Sequence, residues 1–233
     1  MTDLHTHILP FVDDGCADVG TAVALLEEEK LLGVDTVALT PHYRGNYRAP
    51  VREIRSAFTE FCELQAVRSV GVKLCLGREI QYDKRFISRL EKGNVITLGG
   101  GKYVLIELPY DEAVDAEEIA YGVRVAGYKA IFAHVERFDY VRDEAVIKRL
   151  KRRGALIQVN ARSIVDRSVK EEYRFARRLI RARLVDVVAS DVHAGRKNYM
   201  KAAYEAVAKR DREYAERIFD VIPKAILRES AIK

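Results

Sequence analysis

A rhythm in the chain constrains its fold more than any single residue does. Seven times, a short apolar run of β-forming residues gives way to a polar turn and then to a helical stretch. The runs are Thr2–His5, Asp35–Thr40, Val72–Leu76, Lys102–Leu108, Lys129–Ala133, Ala155–Val159 and Val185–Ala189. They are rich in Val, Ile and Leu and alternate poorly with polar residues. A strand wetted on one face alternates; a strand covered on both faces does not, so these runs predict a parallel sheet covered by helices. Between them, Asp18 is placed to cap a helix whose apolar stripe runs from Val19 to Leu32, and Gly33 to end it. Pro50–Val70, Ala116–Ala126, Glu144–Arg153 and Val169–Arg183 read as further helices. The tail from Tyr199 to Ile232 reads as helical, with a break at Pro223. No linker rich in Gly, Ser or Pro interrupts the pattern. Residues 1–233 therefore read as one α/β domain with a C-terminal helical segment from about residue 199. Seven units in a chain of this length favour a closed or nearly closed barrel over a long open sheet.

Composition excludes several classes. A hydrophobic fraction of 48% and a charged fraction of 32% rule out a disordered chain, a collagen-like chain and a disulfide miniprotein. No apolar run reaches the roughly 18 residues that a membrane span needs. The first residues lack a basic segment followed by an apolar one, and only Cys16, Cys62 and Cys75 are present, so the expectation is reduced thiols and a cytoplasmic location. The net charge of +5 is mild and identifies no partner.

The histidines are more informative. There are five, and all sit at the C-terminal ends of β-type runs: His5 and His7, His42, His134 and His193. Glu79, Glu107 and Asp191 end further runs, and Asp13-Asp14-Gly15 follows the first. In a barrel of parallel strands those ends converge on one face, where barrel enzymes build their sites. Each fragment alone is ordinary: His-x-His is common, Thr40-Pro41-His42 resembles a turn, and Ser190-Asp191 a helix cap. Together they form an imidazole and carboxylate set of the kind that binds zinc, manganese or iron. Nine donors exceed the needs of one ion and suit two or three.

Two other features have simpler explanations. Cys62-x5-Arg68-Ser69 formally matches the signature of cysteine phosphatases, but Glu63-Leu64-Gln65-Ala66-Val67 has no glycine and favours helix. Arg174, Arg177, Arg178, Arg181 and Arg183 share a helix with Glu171 and Glu172 and no stacking aromatics, which describes a solvated face better than a nucleic-acid platform.

The ordered set resembles the polymerase-and-histidinol-phosphatase (PHP) superfamily of metal-dependent phosphoesterases. His5-Thr6-His7-Ile8-Leu9-Pro10 followed by Asp13-Asp14-Gly15 looks most like the bacterial protein-tyrosine phosphatases of capsule and exopolysaccharide loci. Thr40-Pro41-His42, Gly77-Arg78-Glu79-Ile80, His134-x-Glu136-Arg137, Gln158-Val159-Asn160-Ala161 and Ser190-Asp191-x-His193 extend the likeness along the whole chain. The resemblance implies a distorted (β/α)7 TIM-like barrel, the PHP fold, with two or three divalent ions, manganese first and iron or zinc as alternatives. By position, one ion takes His5, His7, Glu79 and Asp191; a second takes Glu79, Glu107 and His134; a third takes Asp14, His42 and His193. Asp13 is expected behind these ligands. The sequence departs from the branch at Phe11, where Gly is usual, and at Val135, where Pro is usual.

The activity implied is phosphomonoester hydrolysis of a phosphotyrosine protein, with a hydroxide between the metals attacking phosphorus in line. Arg137 and Arg196 are the expected catalytic arginines, and Arg44, Arg48, Arg78 and Asn160 the expected substrate contacts. Small phosphomonoesters such as histidinol phosphate, nucleotide or nuclease substrates, and a non-catalytic RNA-binding barrel are the alternatives. No membrane partner is expected, and nucleic acid is disfavoured.

Overall fold

The computed structural model describes residues 1–229. Its strands are β1 (Thr2–Thr6), β2 (Thr36–Leu39), β3 (His42–Tyr43), β4 (Lys73–Leu76), β5 (Glu79–Gln81), β6 (Tyr103–Glu107), β7 (Lys129–Phe132), β8 (Leu156–Asn160) and β9 (Val187–Ala189). Every ladder is parallel. The ladders form a curled α/β sheet in two parts, one ordered β1-β2-β4 and the other β3-β5-β6-β7-β8-β9.

The sequence anticipated seven strands; a short further strand follows each of the second and third runs after a break. Thr40-Pro41 separates β2 from β3, where proline has no N–H for a ladder. Gly77-Arg78 separates β4 from β5. Gly77 packs closely there: a Cβ would come within 2.6 Å of Leu98 Cδ2 and 2.9 Å of Thr40 Cγ2 and would displace those side chains. The free edge of β1 meets the loop after β9: Asp191 N–H donates to His5 O and His7 N–H to Val192 O, both at 2.9 Å. A parallel bridge pairs Thr6 with Val192.

The helices are α1 (Val19–Leu31), α2 (Val51–Glu63), α3 (Gln65–Val70), α4 (Phe86–Glu91), α5 (Ala116–Val125), α6 (Glu144–Arg152), α7 (Ala161–Val165), α8 (Lys170–Arg181), α9 (Met200–Ala208), α10 (Arg212–Glu216) and α11 (Ile222–Arg228). Asp18 caps α1 by accepting from Thr21 N–H, as its sequence suggests. The long second helix divides at Leu64, whose extended backbone (φ −61°, ψ 129°) ends α2 and starts α3. The tail is three helices, and Pro223 opens α11 after a π-helical turn at Arg217–Val221, because proline fits the first turn of a helix. Ile232, at the end of the expected tail helix, lies outside the described residues. The short α4 and α7 carry too few residues for an apolar period to show.

Alternation along the strands builds two cores. Val104, Ile106, Ala130 and Phe132 face the helices and join a large layer with Leu26, Phe86, Phe175 and Phe219. Leu105, Ile131 and Ala133 face the other way. They pack with Leu4, Ala38, Leu98 and Val187, and Ile226 of α11 closes this smaller cluster.

Candidate metal centre

The fold brings all nine sequence-expected donors together at the C-terminal strand ends. Eight are buried; Asp14, on the loop after β1, is exposed. Glu79 lies at the centre. Its Oε1 is 2.7 Å from His134 Nε2 and 3.4 Å from His5 Nε2, and its Oε2 is 3.5 Å from His7 Nε2. His42 Nδ1 is 2.5 Å from the same Oε2, outside hydrogen-bond geometry. Asp191 Oδ1 faces His5 Nε2 at 3.6 Å and His7 Nε2 at 3.4 Å. Asp14 Oδ1 is 3.4 Å from His42 Nε2 and 3.8 Å from His193 Nε2. Glu107 is 3.9 Å from His134 Nε2. Four groups place one donor atom per residue within 4.8 Å of one another: His7, Asp14, His42 and His193; His5, Glu79 and His134; His5, His7 and Asp191; His42, Glu79 and Glu107. Three of these cut across the sequence-based partition: the first adds His7 to Asp14, His42 and His193, the second joins His5 to Glu79 and His134, and the last joins His42 to Glu79 and Glu107.

A second ring of residues holds the donors. Asp13 Oδ2 sits 2.8 Å from His7 Nδ1 and accepts from the backbone N–H of His42 at 3.0 Å, so it orients the His7 imidazole, holds the His42 backbone and leaves Asp14 facing the centre. Gln158 Oε1 lies 3.1 Å from His5 Nδ1 and accepts from His134 N–H at 2.9 Å, while its amide donates to Asn160 Oδ1. Asn160 in turn donates to Asp191 Oδ2 at 2.9 Å. Buried Glu136 accepts from Asn160 N–H, and Asp3 accepts from His5 N–H and Ser190 N–H. Such partners fix the ring orientation and tautomer of ligating histidines. Gln158, Glu136 and Asp3 had no role from sequence; for Gln158 and Asp3 a polar side chain inside an apolar strand run was the signal, whereas Glu136 lies in the turn after β7. His134 and Asp191 adopt left-handed backbone (φ 32° and 53°), conformations that non-glycine residues hold only where surrounding packing enforces them.

The donor set fits divalent cations. His5 Nε2 and His7 Nε2 face each other at 3.2 Å, a pairing of two ring nitrogens that a shared cation or proton must hold. His42 Nε2, Glu107 Oε2 and His134 Nδ1 are buried with no hydrogen-bond partner, and such groups are costly unless something coordinates them. Burial opposes charge on His7, yet the Asp13 and Asp191 carboxylates outweigh it and lift His7 to about 10. Burial, with Glu79 beside it, pushes Glu107 above the usual carboxylate range. Burial and the neighbouring His7 lower His193 to about 4. Imidazole nitrogens and carboxylates in one dry pocket are the chemistry of a transition-metal site.

The expected arginines separate. Arg137 Nη1 lies 3.4 Å from Asp191 Oδ2, at the mouth, with its guanidinium 5.3 Å from the Tyr110 ring. Arg44 spans the mouth between Asp14 (3.6 Å) and Glu107 (3.4 Å). Arg196 lines a cavity of about 340 Å³ together with Arg137, Asn160 and Asp191. Arg48 turns toward Asp83 and the Tyr43 ring. Arg78 is buried and donates to the carbonyls of Ala49 and His42, bracing the loop that follows His42. Asn160 is buried as well as cavity-lining. Cys62 lies inside α2 and Arg68 donates to its carbonyl, so no phosphate-cradling loop exists there.

A family model for capsular polysaccharide synthesis proteins of the CpsB/CapC type matches residues 1–228. The chain belongs to the CpsB/CapC family. Tyrosine-protein phosphatase CpsB of Streptococcus pneumoniae is 31% identical, covering 100% of both chains. Tyrosine-protein phosphatase YwqE of Bacillus subtilis is 30% identical over 83% of this chain and 77% of its own. A solved structure from work on YwqE and CpsB, described as unique metal-dependent tyrosine phosphatases, superposes with a TM-score of 0.90 at 27% identity, over 100% of this chain and 96% of that one. An organophosphorus hydrolase from Deinococcus radiodurans matches at a TM-score of 0.60 and 11% identity, a likeness of fold alone. Phe11 adopts a left-handed backbone (φ 68°) and is 72% exposed, whereas Val135 is fully buried beside His134.

Proposed function

We propose that this protein is a metal-dependent protein-tyrosine phosphatase that hydrolyses phosphotyrosine esters at the nine-donor centre. The observation that carries the reading is the convergence of all five histidines with the carboxylates of Asp14, Glu79, Glu107 and Asp191. We assign three divalent ions, manganese first: His5, His7, Glu79 and Asp191 hold one, Glu79, Glu107 and His134 a second, Asp14, His42 and His193 a third. Such ions, when bound, neutralise phosphoryl oxygens and lower the pKa of water. The chain's own residues supply the rest. Arg137 and Arg196 flank Asp191 and bind phosphoryl oxygens as fork-shaped donors. Arg44 narrows the mouth. Gln158, Asn160 and Asp13 hold the donors in register, so little reorganisation accompanies the reaction. The leaving phenolate, with a pKa near 10, needs less protonation than an alkoxide. The fold fits a distorted (β/α)7 barrel in which β2–β3 and β4–β5 are kinked single strands and the Thr6–Val192 bridge closes the ring. Three free cysteines fit a cytoplasmic location.

The test compares a phosphotyrosine peptide, histidinol phosphate and single-stranded DNA, before and after chelation. Hydrolysis of the peptide above the other two is expected, with loss on chelation and recovery on adding manganese. Preference for histidinol phosphate or DNA, or full activity after exhaustive chelation, would overturn the reading.

A further inference from the structure

The roughly 340 Å³ cavity beside the metal centre is larger than one phosphoryl group requires, and its lining is basic. Arg137, Arg162, Arg196 and Lys197 face it, against Glu172 and Asp191. Asp191 belongs to the donor cluster, held by His5, His7 and Asn160. Its Oδ1 faces the imidazoles, and Asn160 and Arg137 meet its Oδ2. Arg162 donates through Nε to Asp166 at 2.9 Å, leaving its two Nη groups with no partner among the described residues. Arg196 and Lys197 are exposed and enter no ion pair among the described residues; the Lys197 ammonium lies 5.2 Å from the Tyr199 ring. The chamber wall thus joins Arg137 and Arg196 to Arg162 on α7 and Lys197 before α9. Four basic side chains are more than one phosphoryl group needs.

We propose that this chamber is an acidic-residue subsite: it receives the carboxylate of an Asp or Glu next to the phosphotyrosine, so that the enzyme selects phosphotyrosine in acidic sequence. The proposal rests on the phosphatase reading above. Arg162 and Lys197 are specificity residues in it, acting on the substrate's flank. A guanidinium and an ammonium at a partly open wall attract a carboxylate more strongly than the isosteric amide, and the attraction weakens with salt.

Three substrates test it: para-nitrophenyl phosphate, a phosphotyrosine peptide with Glu at the two positions on each side, and the same peptide with Gln at those positions. For the native protein kcat/KM should favour the Glu peptide about fivefold, the factor that two exposed charge pairs supply, expressed in KM and shrinking at high salt. In an Arg162→Gln, Lys197→Glu double variant the preference should vanish or reverse, while hydrolysis of para-nitrophenyl phosphate stays within about twofold of native. Equal rates on the two peptides with the native protein, or an undiminished preference in the variant, overturn the subsite while leaving the phosphatase reading intact. Failure to hydrolyse any of the three aryl phosphates with metal present overturns the phosphatase reading and the subsite together.

Discussion

The two ends of the same strands do opposite work. Along β6, Leu105 packs into the small inner core and Glu107, two residues on, enters the metal centre. Along β1, Leu4 is in that core and His5 and His7 follow it; along the last strand, Val187 gives way to Asp191. The lower end is apolar and closed by Ile226 of α11. Each fully buried aliphatic side chain there contributes about 1.5–3 kcal/mol relative to exposure. The upper end buries eight of the nine donors and two left-handed residues, each such backbone costing about 1–3 kcal/mol. Stability therefore comes from the lower end and the helix layer. Without a cation the upper end is a source of strain. Separating the two ends lets the centre keep unpaired nitrogens and crowded carboxylates without unfolding the molecule.

The sharpest way to test that separation is to remove the group at the hub. Glu79→Gln keeps shape and hydrogen bonding but deletes the charge that four imidazoles surround. Phosphatase activity should fall about 10³-fold or more, and elemental analysis should show fewer bound ions, with the circular dichroism spectrum unchanged. Retained turnover would mean that the centre does not organise around Glu79. The converse change is Leu105→Ala, in the inner core on the strand that carries Glu107. It should cost about 3 kcal/mol of stability, measured by denaturant unfolding, with activity per folded molecule close to native at low temperature. If activity collapsed while stability held, the two ends would not be independent.

How much of this was legible in the sequence follows from the same division. The seven apolar runs mark the strands because burial on both faces leaves no polar alternation. The donors were legible because a histidine at the end of such a run has few structural reasons to be there. The kinks were not: Thr40-Pro41 and Gly77-Arg78 look like strand ends, and only the pairing of His42 with Glu79 shows that each chain segment resumes beyond the break. Arg78 shows the limit for function. Its place beside Glu79 suggested a substrate contact, yet the backbone turns its guanidinium to the carbonyls of His42 and Ala49. Gln158 is the opposite case. Its function depends on two histidines from other strands, His5 and His134, whose proximity no local pattern encodes.

One buried carboxyl group lies outside both ends, and it probes how far the polar character of the centre extends. Glu29 of α1 is buried in the helix layer; its Oε1 accepts from Asn198 at 2.6 Å, while Oε2 has no partner. Burial, and then the charge of nearby Asp3, raise it well above its ordinary value of 4.5. The folded state therefore holds this proton more tightly than the unfolded chain does. The associated stability is fully present below about pH 4.5 and is lost as pH rises through the folded-state value. Glu29→Gln removes the titration and keeps an oxygen for Asn198. The melting temperature of the variant relative to native should accordingly rise from pH 4.5 to pH 8.5. Parallel curves would show that Glu29 keeps its charge without penalty, through solvent or a counter-ion reaching into the helix layer. A diverging pair would show instead that the desolvated region extends past Asp3 to α1, so that the helix layer behind β1 carries part of the electrostatic cost of the centre.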